Sequence, residues 1–576
     1  MEIVVFLGGF LALLIFFAYK SKMNKKAKQE KIRKKLNELW GKESDREYNG
    51  VEFERIRKYF DALERQGYVD DITWNDLGLD NVFKAMNYTQ SSIGEDCLYD
   101  RLRRMDFTDD ELKEFDRVVD SFYSDKDKCI KYLEHFAQIG RTKSISIYSF
   151  IHNLTKLGKR SNTVHYLFIA TLISAIALIF LAPPIGVIAT IGMVCVNIVQ
   201  YYKMKGQVES FFYSCGYLTS IIAYAKDIYE LDNEEVKVYN DELKELYKEL
   251  SPIIKNSFLL SSNTVSGSIG EIFLEYARML FHIDLIKFNS IITRTIEKLD
   301  KIDRMYEILG YLESACAVAF YRAHFNEYYG YFAKPEFVEG KKGIVAEEVY
   351  HPLLESPVAN SISEEKCVLL TGSNASGKST FLKTIGLNAV LGQTIYTCSA
   401  KEFKLKRCKV YSSMSLRDDL ENNESYYIVE IKALKRIIDA AKKGEKIICF
   451  VDEVLRGTNT VERVSASTEI LKSFADGNIF NVLCFAATHD IELTHLLEEW
   501  YSNYHFEEQI KDDDVLFNYK LNSGRATSRN AISLLKVMGY DDEIINAARA
   551  RADKFTATGM INSQLQESIE KVAYLW

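Results

Sequence analysis

A glycine-rich segment at residues 371–380 carries the residue types that bind phosphate groups. It follows the apolar run Cys367–Leu370 and satisfies the pattern G-x-x-x-x-G-K-S/T from Gly372 to Ser379. Glycines let backbone N–H groups surround a phosphate, and a helix N-terminus adds positive potential. Lys378 can reach the outer phosphates of a nucleotide, while the Ser379 hydroxyl can ligate Mg²⁺. The residues predicted to bind the nucleotide are Gly372, Ser373, Asn374, Ala375, Ser376, Gly377, Lys378, Ser379 and Thr380.

Two further apolar runs end in polar residues of catalytic type. Lys446–Val451 is followed by Asp452 and Glu453. An acidic pair at a strand end, downstream of a phosphate loop, predicts that Asp452 holds Mg²⁺ through water and that Glu453 polarises the attacking water. The second run, Val482–Ala487, leads to His489, which we expect to sense the terminal phosphate. In other contexts an acidic pair usually lies on the solvated surface, and a lone histidine usually has a structural role. The position of these residues at strand ends favours a functional site instead.

Composition limits the elements that can position these residues. A chain of 576 residues allows three or four domains, and only 6 prolines predict long helices such as Glu234–Leu250 and Leu285–Arg322. The 10 cysteines form no C-x-x-C pair, so neither zinc sites nor a disulfide framework is indicated. The net charge of −8 offers no global attraction to nucleic acid.

The N-terminus predicts a membrane anchor. Ile3–Tyr19 is 17 residues without a charge, long enough for a short membrane-spanning helix. Nine lysines and arginines follow it between Lys20 and Lys35, which keeps that side cytoplasmic and the N-terminus outside. The alternative, a cleaved signal peptide, would carry its positive charge before the apolar run.

A second apolar stretch predicts a membrane hairpin. Ser161–Tyr202 is 42 residues without Asp, Glu, Lys or Arg, interrupted by the turn residues Ala182–Gly186. The arms Val164–Leu181 and Ile185–Tyr201 are each just long enough to cross the hydrocarbon core. Lysines and arginines flank both ends, so both ends are expected inside. The alternative is a helical hairpin buried in a large protein core.

The chemistry-bearing motifs resemble the ATPase domain of the MutS mismatch-repair family. Segments that match it in order are Thr73–Leu102, Tyr350–Leu353, Thr371–Thr380, Asp418–Leu420, Ser425–Glu430, Asp452–Thr460, Ala487–His489 and Phe517–Leu521 with Gly524 and Ser528. The resemblance covers about residues 71 to 555, densely after Tyr350. Three positions depart from the family pattern: Ser373 where Pro is usual, Leu455 where Gly is usual, and Asp490 where an aromatic residue is common.

The resemblance implies cofactors and partners. ATP and Mg²⁺ would be the cofactors, and two chains would form a homodimer in which Ser425 and the Arg456–Thr460 turn complete the partner's nucleotide site. Double-stranded DNA and repair partner proteins would be ligands of the dimer. The family's N-terminal mismatch-reading domain, with its Phe-x-Glu wedge, has no counterpart before Asp71, so little mismatch preference is expected.

Two other functions stay open at this point. A membrane-bound, ATP-driven mechanical or scaffold protein would keep the ATPase and lose mismatch recognition. A transporter of the ABC type is disfavoured because no Leu-Ser-Gly-Gly-Gln-like segment is present and three spans are few for a transport path.

The predicted fold class is multidomain: an α-helical core or lever domain plus a C-terminal α/β P-loop ATPase of the ABC/MutS type, with three transmembrane helices. The protein is expected in the inner or plasma membrane, with its soluble domains cytoplasmic. The predicted divisions are an anchor (1–20), a basic helical stalk (21–70), a first part of the helical core (71–160), the membrane hairpin (161–202), a second part of the core (203–334), the ATPase domain (335–555) and a helical tail (556–576).

Overall fold

The structure of the chain is a computed structural model. The described residues are 23–24, 26–257, 269–339, 343–373, 376–414, 426–455, 459–477, 481–511, 514–526, 532, 535 and 539–558. The predicted anchor Ile3–Tyr19, the loop residues Asn374 and Ala375, and Ser425 lie outside this set.

The secondary structure of the described residues is mainly helical, and the strands among them lie in the C-terminal half. The helices are α1 (26–39), α2 (Gly50–Ala62), α3 (Asp71–Leu77), α4 (Leu79–Met86), α5 (Ser92–Arg103), α6 (Asp109–Tyr123), α7 (Lys126–Ile139), α8 (Ile147–Leu157), α9 (Thr163–Leu181), α10 (Pro183–Gly206), α11 (Glu209–Tyr229), α12 (Lys237–Ile254), α13 (Ile269–Phe281), α14 (Ile283–Glu297), α15 (Leu299–His324), α16 (Lys378–Ile395), α17 (Tyr426–Lys442), α18 (Thr460–Ala475), α19 (Ile491–Leu496) and α20 (Asp542–Thr558). The strands are β1 (Glu336–Phe337), β2 (Ile344–Val349), β3 (Asn360–Glu364), β4 (Cys367–Thr371), β5 (Glu402–Leu405), β6 (Lys409–Ser413), β7 (Ile447–Asp452), β8 (Val482–Ala487), β9 (Tyr501–Lys511) and β10 (Asp514–Ser523).

Backbone contacts divide the described residues into two units. The helical unit comprises Met1–Tyr68, Asn81–Gly330 and Thr394–Tyr396. The α/β unit comprises Val69–Asp80, Tyr331–Gln393 and Thr397–Trp576. The protein is therefore a helix-rich, multidomain chain with a C-terminal α/β domain.

Helix α15 forms the centre of the helical unit, and most of its C-terminal half is buried. It approaches α5 so closely that a Cβ at Gly310 would collide with Cys97. The buried Glu313 carboxylate accepts a 2.9 Å hydrogen bond from Ser91 N–H, which fixes α15 to the start of α5. The prediction of one helix over Leu285–Arg322 is wrong. Lys298 leaves the helical region at φ −128°, ψ 31°, and separates α14 from α15.

Helices α9 and α10 form the hairpin that the apolar stretch predicts. Ala182 makes the turn at φ −144°, ψ 79°, and proline occupies the first turn of α10. A Cβ at Gly186 would collide with the backbone of Ile179, so the two helices meet closely at the turn. By length and composition, both helices could cross a membrane. Only 17% of each apolar segment is buried against the rest of the protein.

The opposite end of the hairpin is held by polar side chains. His165 Nδ1 of α9 lies 3.0 Å from His282 Nδ1, at the junction of α13 and α14. Tyr201 of α10 donates a 2.8 Å hydrogen bond to the Asp284 carboxylate, and Asn197 donates to the Leu280 carbonyl at 3.0 Å. Both arms are therefore anchored in the helical unit at their base, while the turn at Ala182 is free of these contacts.

The α/β unit contains two sheets. The larger has the strand order β10-β9-β4-β8-β7-β6, in which only the β10–β9 pair is antiparallel. The smaller has the order β1-β5-β2-β3. Every residue of β4, β7 and β8 is buried, which explains their continuous apolar runs, since a strand covered on both faces has no polar face.

Residues 69–80 belong to the α/β unit, although residue 71 is the predicted start of the helical core. The Asp76 carboxylate accepts hydrogen bonds from the Ser412 hydroxyl at 2.6 Å and from Met414 N–H at 2.9 Å. Asp70 accepts a two-point contact from Arg436 at 2.9 and 3.0 Å. These polar contacts hold α3 against β6 and α17. No local sequence pattern in residues 69–80 predicts them.

Candidate functional site

The carboxyl ends of β4, β7 and β8 meet at one edge of the larger sheet. Leu370 and Asp452 are both paired with Ala487 across the parallel strands. Thr488 N–H donates to the Leu370 carbonyl at 2.9 Å, and Glu453 N–H donates to the Ala487 carbonyl at 2.9 Å. The glycine-rich turn, the acidic pair and the histidine thus follow three adjacent strands, where ligands commonly bind in α/β domains.

The turn after β4 depends on its glycines. Gly372 has φ 147° and Gly377 has φ 110°, which side chains disfavour. A Cβ at Gly372 would lie 2.8 Å from the Phe506 carbonyl oxygen, so the space is also closed to alanine. Ser373 donates a 2.8 Å hydrogen bond to the Glu508 carboxylate of β9. The Ser376 hydroxyl is buried and has no hydrogen-bond partner among the described residues.

Lys378 is the first residue of α16 and lies at the centre of a polar cluster. Its ammonium donates to the carbonyls of Gly372 at 2.8 Å and Ser373 at 2.9 Å. His489 Nε2 lies 3.5 Å from the Lys378 ammonium and 2.9 Å from Glu453 Oε1. Lys378 and His489 are 111 positions apart in the sequence. The fold therefore brings the lysine, the glutamate and the histidine together.

Ser379 and Asp452 form a pair of hard oxygen ligands beside this cluster. The Ser379 hydroxyl donates to Asp452 Oδ2 at 2.5 Å. Carboxylate and hydroxyl oxygens are the donors that Mg²⁺ prefers. No group of three or more His, Cys, Asp or Glu side chains suited to a metal occurs in the described part of the chain. A cation here would accordingly take its remaining ligands from substrate and water, as Mg²⁺ usually does.

A cavity of about 550 Å³ opens above the cluster. Its lining includes the predicted residues Ser373, Ser376, Gly377, Lys378, Ser379, Thr380, Asp452 and Glu453. The volume suits a drug-sized ligand or cofactor, which typically occupies a cleft of about 300–1,000 Å³. His489 is not among the lining residues and reaches the site through Glu453 and Lys378.

Three further lining residues are not predicted from their types and spacing. Burial, with a smaller contribution from Lys383, lowers the pKa of His351 to about 4, so its imidazole is neutral at pH 7. Tyr519 has φ 52°, and its ring packs 3.3 Å from where a Cβ on Gly377 would lie. Asn360 fixes this turn by donating to the Tyr519 carbonyl at 3.0 Å. The positive φ of Tyr519 is visible only in the fold.

Two of the three positions that depart from the family pattern lie beside the site and make polar contacts there. Leu455 has φ 60°, a left-handed conformation in which glycine costs less, and its N–H donates to the buried Glu430 carboxylate. Asp490, next to His489, accepts a two-point contact from Arg463 of α18 at 3.0 and 2.6 Å. This contact raises the pKa of Arg463, because the carboxylate stabilises the charged guanidinium. Asp490 therefore joins the strand end that carries His489 to the start of α18.

Comparison with known proteins shows which family the C-terminal part of the chain resembles. The fold and the site define a helix-rich multidomain protein with a C-terminal α/β domain, and the family model of MutS domain V matches residues 368–556. The chain is 26% identical over 283 residues to the DNA mismatch repair protein MutS of Clostridium botulinum (strain Hall), across 47% of this chain and 30% of that protein. It is 26% identical over 336 residues to MutS protein homolog 4 of Mus musculus, across 55% of this chain and 33% of that protein. The chain spans about a third of the length of these relatives. The domain V match and these two similarities support a MutS-family protein.

Proposed function

We propose that this protein is a membrane-tethered ATPase that binds DNA in a process related to mismatch repair. The observation that carries the proposal is the cluster of Lys378, Glu453 and His489 beside the Ser379–Asp452 pair, at the edge of domain V. Each of these groups suits one task in phosphoryl transfer.

The turn and the Ser379–Asp452 pair are proposed to bind MgATP. The Lys378 ammonium donates to two loop carbonyls in this structure. When the nucleotide binds, it would donate to the outer phosphates instead. Ser379 and Asp452 would hold Mg²⁺, which neutralises charge on the phosphate oxygens when bound. The closed space at Gly372 keeps the backbone N–H groups free of side chains, as a phosphate cradle requires.

Glu453 is proposed as the group that accepts the proton of the attacking water. Its carboxylate is oriented by the 2.9 Å contact with His489, and its backbone is fixed by the hydrogen bond to Ala487. Because Glu453 lines the cavity, the attacking water would lie between its carboxylate and the bound nucleotide. Orientation of a general base within hydrogen-bond reach of the water is what this chemistry needs first.

ATP-driven dimerisation is proposed from the family resemblance of Ser425 and the Arg456–Thr460 turn. Described residues next to these segments support it. Glu430, five positions after Ser425, accepts the N–H of Leu455, which directly precedes Arg456. Glu430 and Leu455, which lie next to the two segments, are thus in contact. In the proposed dimer, Ser425 and the Arg456–Thr460 turn of one chain would complete the nucleotide site of the other.

The Arg463–Asp490 pair gives a prediction about positioning. We expect Asp490→Asn to lower kcat for ATP hydrolysis about tenfold with a smaller change in KM, because His489 and Glu453 lose alignment while the phosphate cradle remains. Steady-state kinetics of Asp490→Asn, Arg463→Lys and the double variant test this. The two effects should be strongly non-additive, since they break one contact. Additive effects, or an unchanged kcat in Asp490→Asn, would show that the pair is only structural.

DNA binding is the part of the proposal that separates repair from a purely mechanical role at the membrane. Fluorescence anisotropy of the full chain in nanodiscs, with perfect, mismatched and branched duplexes, measures it with and without ATP. We expect ATP-dependent binding whose logarithmic affinity falls linearly with the logarithm of salt concentration, because lysine and arginine contacts release counterions. Mass photometry of the same samples reports dimerisation. Absence of DNA binding by a chain that still hydrolyses ATP and dimerises would favour the mechanical or scaffold alternative.

A further inference from the structure

The helical unit contains a second cavity, of about 420 Å³, far in sequence from domain V. Its wall comes from α2, α5, α6, α12, α15 and the residues that follow α2 and α5. Aromatic side chains form much of the wall, namely Tyr59, Phe107, Tyr239 and Tyr311. The volume is that of a small-molecule site. Charged side chains form about half of the wall, with four arginines and four carboxylates.

Four arginines line this cavity, and three of them are paired with carboxylates. The pairs are Arg65–Asp100, Arg104–Asp106 and Arg304–Glu242, with shortest N–O distances of 2.9, 2.9 and 2.6 Å. The fourth, Arg101, is only 7% exposed. Its Nε and Nη2 are buried and have no acceptor among the described residues. A buried charge without a counter-charge is costly, so this one requires an explanation.

Aromatic rings cover Arg101 but do not neutralise it. The guanidinium carbon lies 3.3 Å from the centre of the Phe115 ring and 4.4 Å from that of Phe107. Such stacking stabilises a cation by about 0.5–2 kcal/mol, yet it leaves the in-plane N–H groups without acceptors. Burial lowers the pKa of Arg101 to about 9, and the nearby Tyr311, Glu111 and Asp100 offset this effect only in part.

The carboxylates in the wall are engaged elsewhere. Glu111 accepts from Thr108 N–H at 2.7 Å in a helix cap. Glu114 accepts both arms of Arg117 at 2.8 Å. Glu307 accepts from Arg304 at 3.2 Å. None of them is a spare partner for Arg101. The Ser314 hydroxyl, also in the wall, is buried without a partner among the described residues, so a second polar group has an unused hydrogen-bond capacity.

We propose that this cavity binds a small phosphate-bearing molecule, with the phosphate against Arg101 and a flat ring against the aromatic side chains of the wall. The phosphate supplies the missing counter-charge and the acceptors that an arginine fork uses best. The aromatic wall supplies stacking surface for a ring of the size of a nucleobase. This site lies entirely within the helical unit and does not depend on nucleotide binding at domain V.

The test uses AMP as probe and adenosine as its uncharged match, on the full chain in nanodiscs. Binding is measured by calorimetry and by the probe-induced shift in unfolding temperature. The proteins are the unmodified chain, Arg101→Met, Lys378→Ala and the control Arg57→Met, which removes a partly exposed arginine on α2. We expect AMP but not adenosine to bind, Lys378→Ala and Arg57→Met to retain a binding event, and Arg101→Met to weaken it about tenfold or more.

The result that overturns the proposal is equally specific. AMP binding that is lost in Lys378→Ala and unchanged in Arg101→Met would place the probe at domain V alone. Absence of any response to AMP or inorganic phosphate would also reject the site.

The probe-free proteins give an independent measure. If the role of Arg101 is to bind an anion, Arg101→Met should leave the unfolding temperature unchanged or raise it. The reason is that the substitution replaces an unpaired buried charge with an apolar side chain of similar length. A marked fall in that temperature, together with probe responses equal to those of the unmodified chain, would mean that Arg101 serves only to hold the aromatic rings.

Discussion

Replacement of Glu453 by glutamine should lower kcat for ATP hydrolysis by about 10²–10⁴-fold, the usual contribution of a positioned general base. ATP affinity should change little, because Lys378 and the turn after β4 would hold the phosphates without Glu453. The amide keeps the shape of the side chain and its contact with His489 but no longer accepts a proton from water. Turnover is measured by phosphate release, and affinity by equilibrium binding of a fluorescent ATP analogue.

The controls for this experiment separate loss of catalysis from loss of folding. Lys378→Ala should lose ATP binding and hydrolysis together, because its ammonium is the cation nearest the loop carbonyls. Glu469→Gln removes a charge from an exposed position on α18 and should leave both quantities unchanged. Hydrolysis by Glu453→Gln at the rate of the unmodified chain would show that another group activates the water.

The strands of domain V could be predicted because burial on both faces imposes a pattern. The run Cys367–Leu370 is β4 without its last residue, Thr371. The run Lys446–Val451 is β7 displaced by one residue, and Val482–Ala487 is β8. The break between the two arms of the hairpin was also predictable, although it lies at Ala182 alone, because Pro183–Gly186 belong to α10. Two prolines interrupt an uncharged stretch there, and α10 begins at the first of them.

Contacts between distant residues could not be predicted, since they leave no local pattern. The bond from Asn360 to the Tyr519 carbonyl joins residues 159 positions apart. Asp76 accepts hydrogen bonds from residues more than 330 positions away. Because of these bonds, α3 belongs to the α/β unit and not to the helical unit. The break at Lys298 also escapes periodicity, because apolar residues continue at helical spacing on both sides of it. The role of Ser425 remains a prediction, as it lies outside the described residues.

The second large effect concerns the hairpin and its surroundings. Ile173 of α9 and Ile191 of α10 are 55% and 60% exposed, near the middle of their helices. The double variant Ile173→Asp/Ile191→Asp should abolish membrane integration of the hairpin, since each aspartate at the centre of a spanning helix costs about 2.5–3.5 kcal/mol. In water the same changes would place charges on an exposed surface and cost almost nothing. Flotation of the expressed chain with membranes, before and after carbonate extraction, measures the difference.

A matched control makes the result specific to the hairpin. Val238→Asp on α12 alters a residue that is 75% exposed but lies outside the apolar stretch, so it should change neither flotation nor folding. Single cysteines then give the topology, in a Cys195→Ala background because Cys195 is exposed. Pro184→Cys at the turn should react with an impermeant reagent from outside, and Lys159→Cys and Lys203→Cys should not. Unchanged flotation of the double aspartate variant, or protection of Pro184→Cys from outside, would mean that protein rather than lipid covers α9 and α10.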